Sequence, residues 1–221
     1  MKTKALLVCG IVASLLYVAM NVVGSMMWEG YSSVSQTISE LGAIDAPSRG
    51  VLLPMGIVYQ ALMTAFAVGV LASAGRNRPL RIAGMMLVAY GLIGFAAPFT
   101  SMHLRGEPPS LSDTLHVIHT AVAVLFMLLA VGFAAAALGK RFRLFSIVTM
   151  IVVLGFGAWA GMDGPSIAAN LPTPWVGVTE RICVSGILLW VAGLAFVLLP
   201  PRATSSLPQK MPVRRRGLAA A

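Results

Sequence analysis

Charge is what this sequence has least of: 10% of its 221 residues are Asp, Glu, Lys or Arg, and only seven of those are acidic. With 58% hydrophobic residues and a mean hydropathy of +0.87, the chain has too little charge to solvate the surface of a soluble domain. It also lacks the short alternating segments of an outer-membrane barrel. Because lipid cannot satisfy open backbone groups, a polytopic helical membrane protein is what remains. Cysteine is equally scarce: Cys9 and Cys183 stand in apolar runs near opposite ends of the chain, with no CxxC spacing, and neither announces a disulfide or redox centre. The LLVCG around Cys9 has the look of a lipoprotein cysteine, but the apolar stretch before it is too short for a signal h-region.

What is abundant is apolar length. Runs of spanning size, about 20 residues, occur at 5–26, 51–74, 80–99, 114–138, 144–162 and 177–199. They predict an all-α bundle of six transmembrane helices forming one domain over residues 1–200. MKTK before the first run also fits a cleavable signal peptide, but no small-x-small site precedes Trp28, which favours a retained helix. A net charge of +9 in a soluble protein would suggest nucleic acid. Here the basic residues flank the apolar runs, so membrane orientation explains them and no nucleic-acid partner is expected. Thirteen of the sixteen lie at the amino terminus, in the 75–81 and 139–143 links or in the tail; Arg49, Arg105 and Arg181 are the exceptions. The positive-inside rule then predicts a multi-pass plasma or inner membrane protein with both termini cytoplasmic. Residues 201–221, rich in Pro, Ser and Arg, are expected to form a basic, disordered cytoplasmic tail.

All seven acids and all three histidines fall on the opposite, outer side. There YSSVSQTISELGA (31–43) repeats Tyr31, Val34, Ile38 and Leu41 at helical spacing, predicting a short amphipathic helix between the first two spans that ends at Gly42. In the outer segment 98–120, Gly106, Pro108 and Pro109 form a turn, and Ser112 or Asp113 caps the fourth span. Asp113, His116 and His119 then share a helix face, a set that suits metal ligation, a general base or a proton relay, and equally an ordinary cap with hydrogen-bonded neighbours. Glu180 and Arg181 open the sixth span, where Arg181 is expected either to clamp helices by reaching Glu40 or Asp113 or to bind an anionic headgroup. Trp28 and Trp175 fit an outer aromatic belt. Within the spans the polar residues, such as Asn21, Gln60, Thr64 and Thr149, carry no charge, which weakens the case for an ion pathway. Gly91, Gly94 and the glycines of GFGAWAG (155–161) read as close helix packing.

Taken together, SQTISELGA followed by Asp-Ala-Pro, the histidine-bearing outer turn, and GVTERI opening the sixth span resemble the bacterial and archaeal membrane proteins grouped as Domain of Unknown Function 998. The resemblance covers about residues 5–200; it implies fold and membrane location but no activity. Two functional expectations stand beside it. The first is a metal-dependent hydrolase of a lipid or small amphiphile, with His103, His116 and His119 holding zinc or a similar divalent ion. In it Asp113 orients a ligand or water, and Ser39 or Glu40 assists proton transfer. Its ingredients resemble those of alkaline-ceramidase and adiponectin-receptor type hydrolases, although order and spacing differ and those have seven spans. The second is a non-catalytic sensor, binding or structural protein whose partners are membrane lipids. A haem between His103 and His116 is a weaker third, with no inner histidine pair to continue electron transfer. In either main reading residues 31–43 form a lid whose Ser39 and Glu40 face the histidine turn and contact His116 or Arg181.

Overall fold

The structure, a computed structural model, describes residues 2–200; the expected basic tail lies outside them. Among the described residues the chain is helical and has no strand: α1 (Lys2–Met26), α2 (Ile38–Leu41), α3 (Arg49–Ala74), α4 (Arg78–Gly94), α5 (Leu111–Ala137), α6 (Lys140–Met162), α7 (Gly164–Ala168) and α8 (Val176–Leu198), with a 3-10 turn at Ala97–Phe99. Five stretches are long and apolar enough to cross a membrane: α1, α3, α5, α6 continued through α7, and α8. At 17 residues, α4 is about 26 Å long, shorter than the hydrocarbon core requires of an upright helix. The chain is therefore a multi-pass membrane protein by its helices, and five spans rather than six meet the length requirement.

The six long helices close a ring in which α1 touches α3, then α4, α5, α6 and α8 follow in turn, and α8 returns to α1. The tight links at 75–77 and 138–139 force α3 against α4 and α5 against α6, while longer loops make the other three turns of the ring. Trp190, Phe66, Met63, Leu87 and Met127 are fully buried at the centre. Polar side chains join the seams where lipid offers no alternative: Trp190 Nε1 donates to Ser146 Oγ at 2.9 Å and Ser14 Oγ to the Leu188 carbonyl at 3.1 Å. Close backbone approach at α3/α4 rests on glycine, since a Cβ on Gly91 would stand 3.1 Å from the Thr64 nitrogen. GFGAWAG differs from its expected role: Gly155 and Gly161 face open space, and only Gly157 approaches another helix, at Cys183 Sγ.

The acidic and histidine-bearing loops all meet at one end of the ring. Ile44 N donates to the Met102 carbonyl and Arg49 Nη2 to that of Pro98, tying the 27–48 loop to the 95–110 loop. The basic links occupy the other end, where Asn77 caps α4 and reaches the Ala137 carbonyl at 3.1 Å.

Candidate functional site

The polar end is assembled around α2. Residues 33–36 are turns, and helix forms only over Ile38–Leu41, not across the predicted stripe. The reason is local competition for backbone groups. Ser32 N donates to Gln36 Oε1, Ser35 N to Ser32 Oγ, and Tyr31 Oη to the Thr37 carbonyl at 2.7 Å, bonds that replace helical ones. Thr37 then caps α2 with a capping box. Its Oγ1 accepts from Glu40 N, and Glu40 Oε2 accepts from Thr37 N at 2.6 Å.

Glu40 is fully buried, and the cation that meets it is Arg105, 65 positions away, not Arg181. Arg105 Nε donates to Glu40 Oε1 at 2.5 Å and Nη2 to Oε2 at 2.9 Å; its remaining bonds go to Thr173 Oγ1 and the Ser35 carbonyl. One guanidinium thus fastens three loops together. Burial alone raises the Glu40 carboxyl, but the Arg105 hydrogen bonds, the Thr37 N–H and the Arg105 charge outweigh it and hold the group below its ordinary value. Sequence reasoning counted Arg105 only as one of three outer-side exceptions; the signal it carried was that the outer side has seven acids and just three arginines to pair with them.

Glu180 lies one turn into α8 and accepts from Ile38 N, at the first turn of α2, and from Ser39 Oγ at 3.3 Å. Ser39 therefore faces Glu180, and neither Ser39 nor Glu40 bonds a histidine. Arg181, expected to reach Glu40 or Asp113, instead donates through Nη1 to the carbonyls of Ser33, Gln36 and Gly177, and through Nη2 to Tyr31 Oη at 2.7 Å. Burial raises the Tyr31 phenol, opposed by that hydrogen bond and by the Arg181 charge. The Val34 carbonyl accepts from Gly177 N and Val178 N, the open first-turn donors of α8. Gly177 has to be glycine, because a Cβ there would stand 2.3 Å from the Gln36 carbonyl oxygen.

The histidines divide among different partners. Ser110, not Ser112 or Asp113, is the N-cap of α5, with Asp113 completing a capping box. Asp113 accepts His103 N at 2.7 Å, His103 Nδ1 at 3.2 Å and both donors of Ser110, closing the 103–110 turn. His116 Nδ1 bonds the Thr100 carbonyl at 3.0 Å, and His119 Nδ1 bonds Thr100 Oγ1 at 2.7 Å. A carbonyl only accepts, so His116 carries a proton on Nδ1, and in the neutral ring Nε2 is then the acceptor. Among the described residues no group of three His, Cys, Asp or Glu side chains is placed to hold a metal ion.

Two grooves open beside Arg181. The larger, about 480 Å³, runs between α6 and α8 along Phe145, Val148, Val152, Val178, Ile182 and Leu189. The smaller, about 270 Å³, lies between α1 and α8 and is lined by Asn21, Ser25, Ser33 and Ser185 among apolar residues. Arg181 and Ser185 border both.

Compared with known proteins, residues 11–197 match the family described as Protein of unknown function (DUF998). The chain belongs to that family. The match spans all six long helices and the polar end, so in this DUF998 protein the ring and its cap are one family unit. No curated protein and no solved structure matches the DUF998 chain.

Proposed function

We propose that this DUF998 protein is a six-span membrane protein, with both termini cytoplasmic, that binds an amphiphile at its outer end without transforming it. Support for six spans comes from the closed ring, in which α4 occupies the same layer as the five longer helices. Support for orientation comes from the basic links gathered at the end opposite the acids.

The observation that carries the binding reading is the state of Arg181. Most ionisable groups of the cap are spent on one another or on backbone: Glu40 on Arg105, Asp113 on the His103 turn, Glu180 on α2. Arg181 hydrogen-bonds to neutral oxygens alone and meets the neighbouring Glu180 only through space, within α8, at the junction of two grooves. A cation at membrane depth is costly, and one that no carboxylate hydrogen-bonds is open to an anionic ligand. Native mass spectrometry of the detergent-purified protein tests this reading: an amphiphile adduct near one per chain is expected, and protein that flies bare from mild detergent refutes it.

A hydrolase acting on the same class of amphiphile is the second reading. It is favoured by His116 and His119, which sit one turn apart on α5, are both anchored to Thr100 through Nδ1, and leave Nε2 without a protein partner. Such anchoring is how proteins fix imidazoles that act as bases or ligands. Metal analysis beside a His116→Ala, His119→Ala variant decides it: stoichiometric zinc lost in the variant supports the hydrolase, and no metal in either protein removes it.

A further inference from the structure

The two grooves differ in character, and the difference specifies a ligand. Arg181 lies five residues into α8 and Asn21 five residues from the end of α1, so both backbones sit about 7.5 Å below the cap-side helix ends. Trp175, 57% exposed at the start of α8, marks the interface above them. Arg181 has five N–H bonds. Its Nη1 pair is taken by three carbonyls and one Nη2–H by Tyr31, leaving Nε–H and the other Nη2–H without an acceptor among the described residues. Asn21 donates Nδ2–H to the Tyr17 carbonyl, but its Oδ1 is buried and has no donor. Asn21, which carries that buried acceptor, lines the small groove with three serines, while the large groove is mainly apolar from Val178 to Phe145.

We propose that the α1/α8/α6 face is the site of an acidic phospholipid with a polyol headgroup. Its phosphate sits on the free N–H bonds of Arg181, a headgroup hydroxyl donates to Asn21 Oδ1 in the small groove, and one acyl chain lies in the α6/α8 groove. From Arg181 to Leu189 that groove follows eight residues of α8, about 12 Å of chain path. Glu180 does not compete for the free N–H bonds of Arg181, because adjacent helix positions diverge by about 100° and its carboxylate accepts from Ile38 and Ser39. The proposal rests on the binding reading above and names its ligand.

The test is lipid selectivity of the full chain in nanodiscs, read by competition of phosphatidylglycerol, phosphatidic acid and phosphatidylcholine against a spin-labelled phosphatidylglycerol. The wild type is expected to prefer phosphatidylglycerol over phosphatidylcholine about tenfold, the low end of what a charge-assisted hydrogen bond supplies. Arg181→Gln should bring that ratio to about one, and Asn21→Leu should abolish only the advantage of phosphatidylglycerol over phosphatidic acid. Because Arg181 also moors the 31–37 loop, Ser185→Phe serves as the second variant. Ser185 is exposed and borders both grooves, so an aromatic ring there should displace the label while thermal unfolding stays unchanged. A headgroup preference that survives both Arg181→Gln and Ser185→Phe overturns the proposal but leaves amphiphile binding standing. Absence of immobilised lipid for every headgroup overturns both.

Discussion

Removing Arg105 isolates the contribution of the bond that holds the polar cap together. Its partner Glu40 has a side chain 1% exposed, and Arg105 itself is 14% exposed. Arg105→Ala would leave the carboxylate with only its two bonds to Thr37, at 2.6 and 2.9 Å, and would release Thr173 and the Ser35 carbonyl. Stranding one member of a buried pair costs about 3–5 kcal/mol. Arg105→Lys keeps the charge but cannot reproduce the two-pronged contact, and is expected to cost roughly half as much. Arg105→Met combined with Glu40→Gln removes both charges and should recover much of the loss, giving a coupling energy above about 1.5 kcal/mol in a double-mutant cycle. The assay is reversible unfolding in mixed detergent and SDS micelles, followed by far-UV circular dichroism. Additive single-variant effects, or an Arg105→Ala cost below about 1 kcal/mol, would refute the claim that this pair joins the three loops.

Acid should weaken the same cap. The Glu40 carboxyl titrates lower in the folded than in the unfolded chain, so on acidification the unfolded state takes up its proton first. The stabilisation is full above the unfolded pKa, about 4.3, and disappears as pH falls through the lower folded value. Thermal unfolding against pH should show this decline in the wild type and a flatter curve in Glu40→Gln. Gly177→Ala places a methyl 2.3 Å from the Gln36 carbonyl oxygen and 2.4 Å from that of Ser33. The 31–37 loop must lift from α8, at a cost of about 2–3 kcal/mol, visible as faster proteolysis of the loop. Gly91→Ala should lower stability by about 1–3 kcal/mol through overpacking against Thr64, whereas Gly161→Ala, facing open space, should be neutral or slightly stabilising by the same unfolding assay.

The helices, and the split between a basic and an acidic end of the ring, were legible in the sequence because both follow from one-dimensional patterns: apolar length for the helices, Lys and Arg for the links. Gly91 was legible for the same reason, as a small residue among large ones inside a run. The cap was legible only in composition. Tyr31, Val34, Ile38 and Leu41 do keep helical spacing, but spacing does not register that Ser32, Gln36 and Tyr31 bond the backbone of their own turn and hold residues 33–36 out of a helix. Pairing was the least legible part. Glu40 meets Arg105 across 65 positions, and Arg181 finds carbonyl oxygens, which no charge map counts. The histidines show the limit of face arguments. His116 and His119 do share a face of α5 and a partner in Thr100, whereas Asp113, on that same face, is turned to Ser110 and His103.

The account's central claim is that an acidic amphiphile occupies the face around Arg181, and photo-crosslinking tests it most directly. Phosphatidylglycerol bearing a photoactivatable acyl chain, irradiated with the wild-type protein in nanodiscs and mapped by peptide mass spectrometry, should label α6 within 145–152 and α8 within 178–189. The label should fall to background in Arg181→Gln. Labelling spread evenly over the exposed faces of α1, α3, α5 and α6, and unchanged in that variant, would contradict the claim.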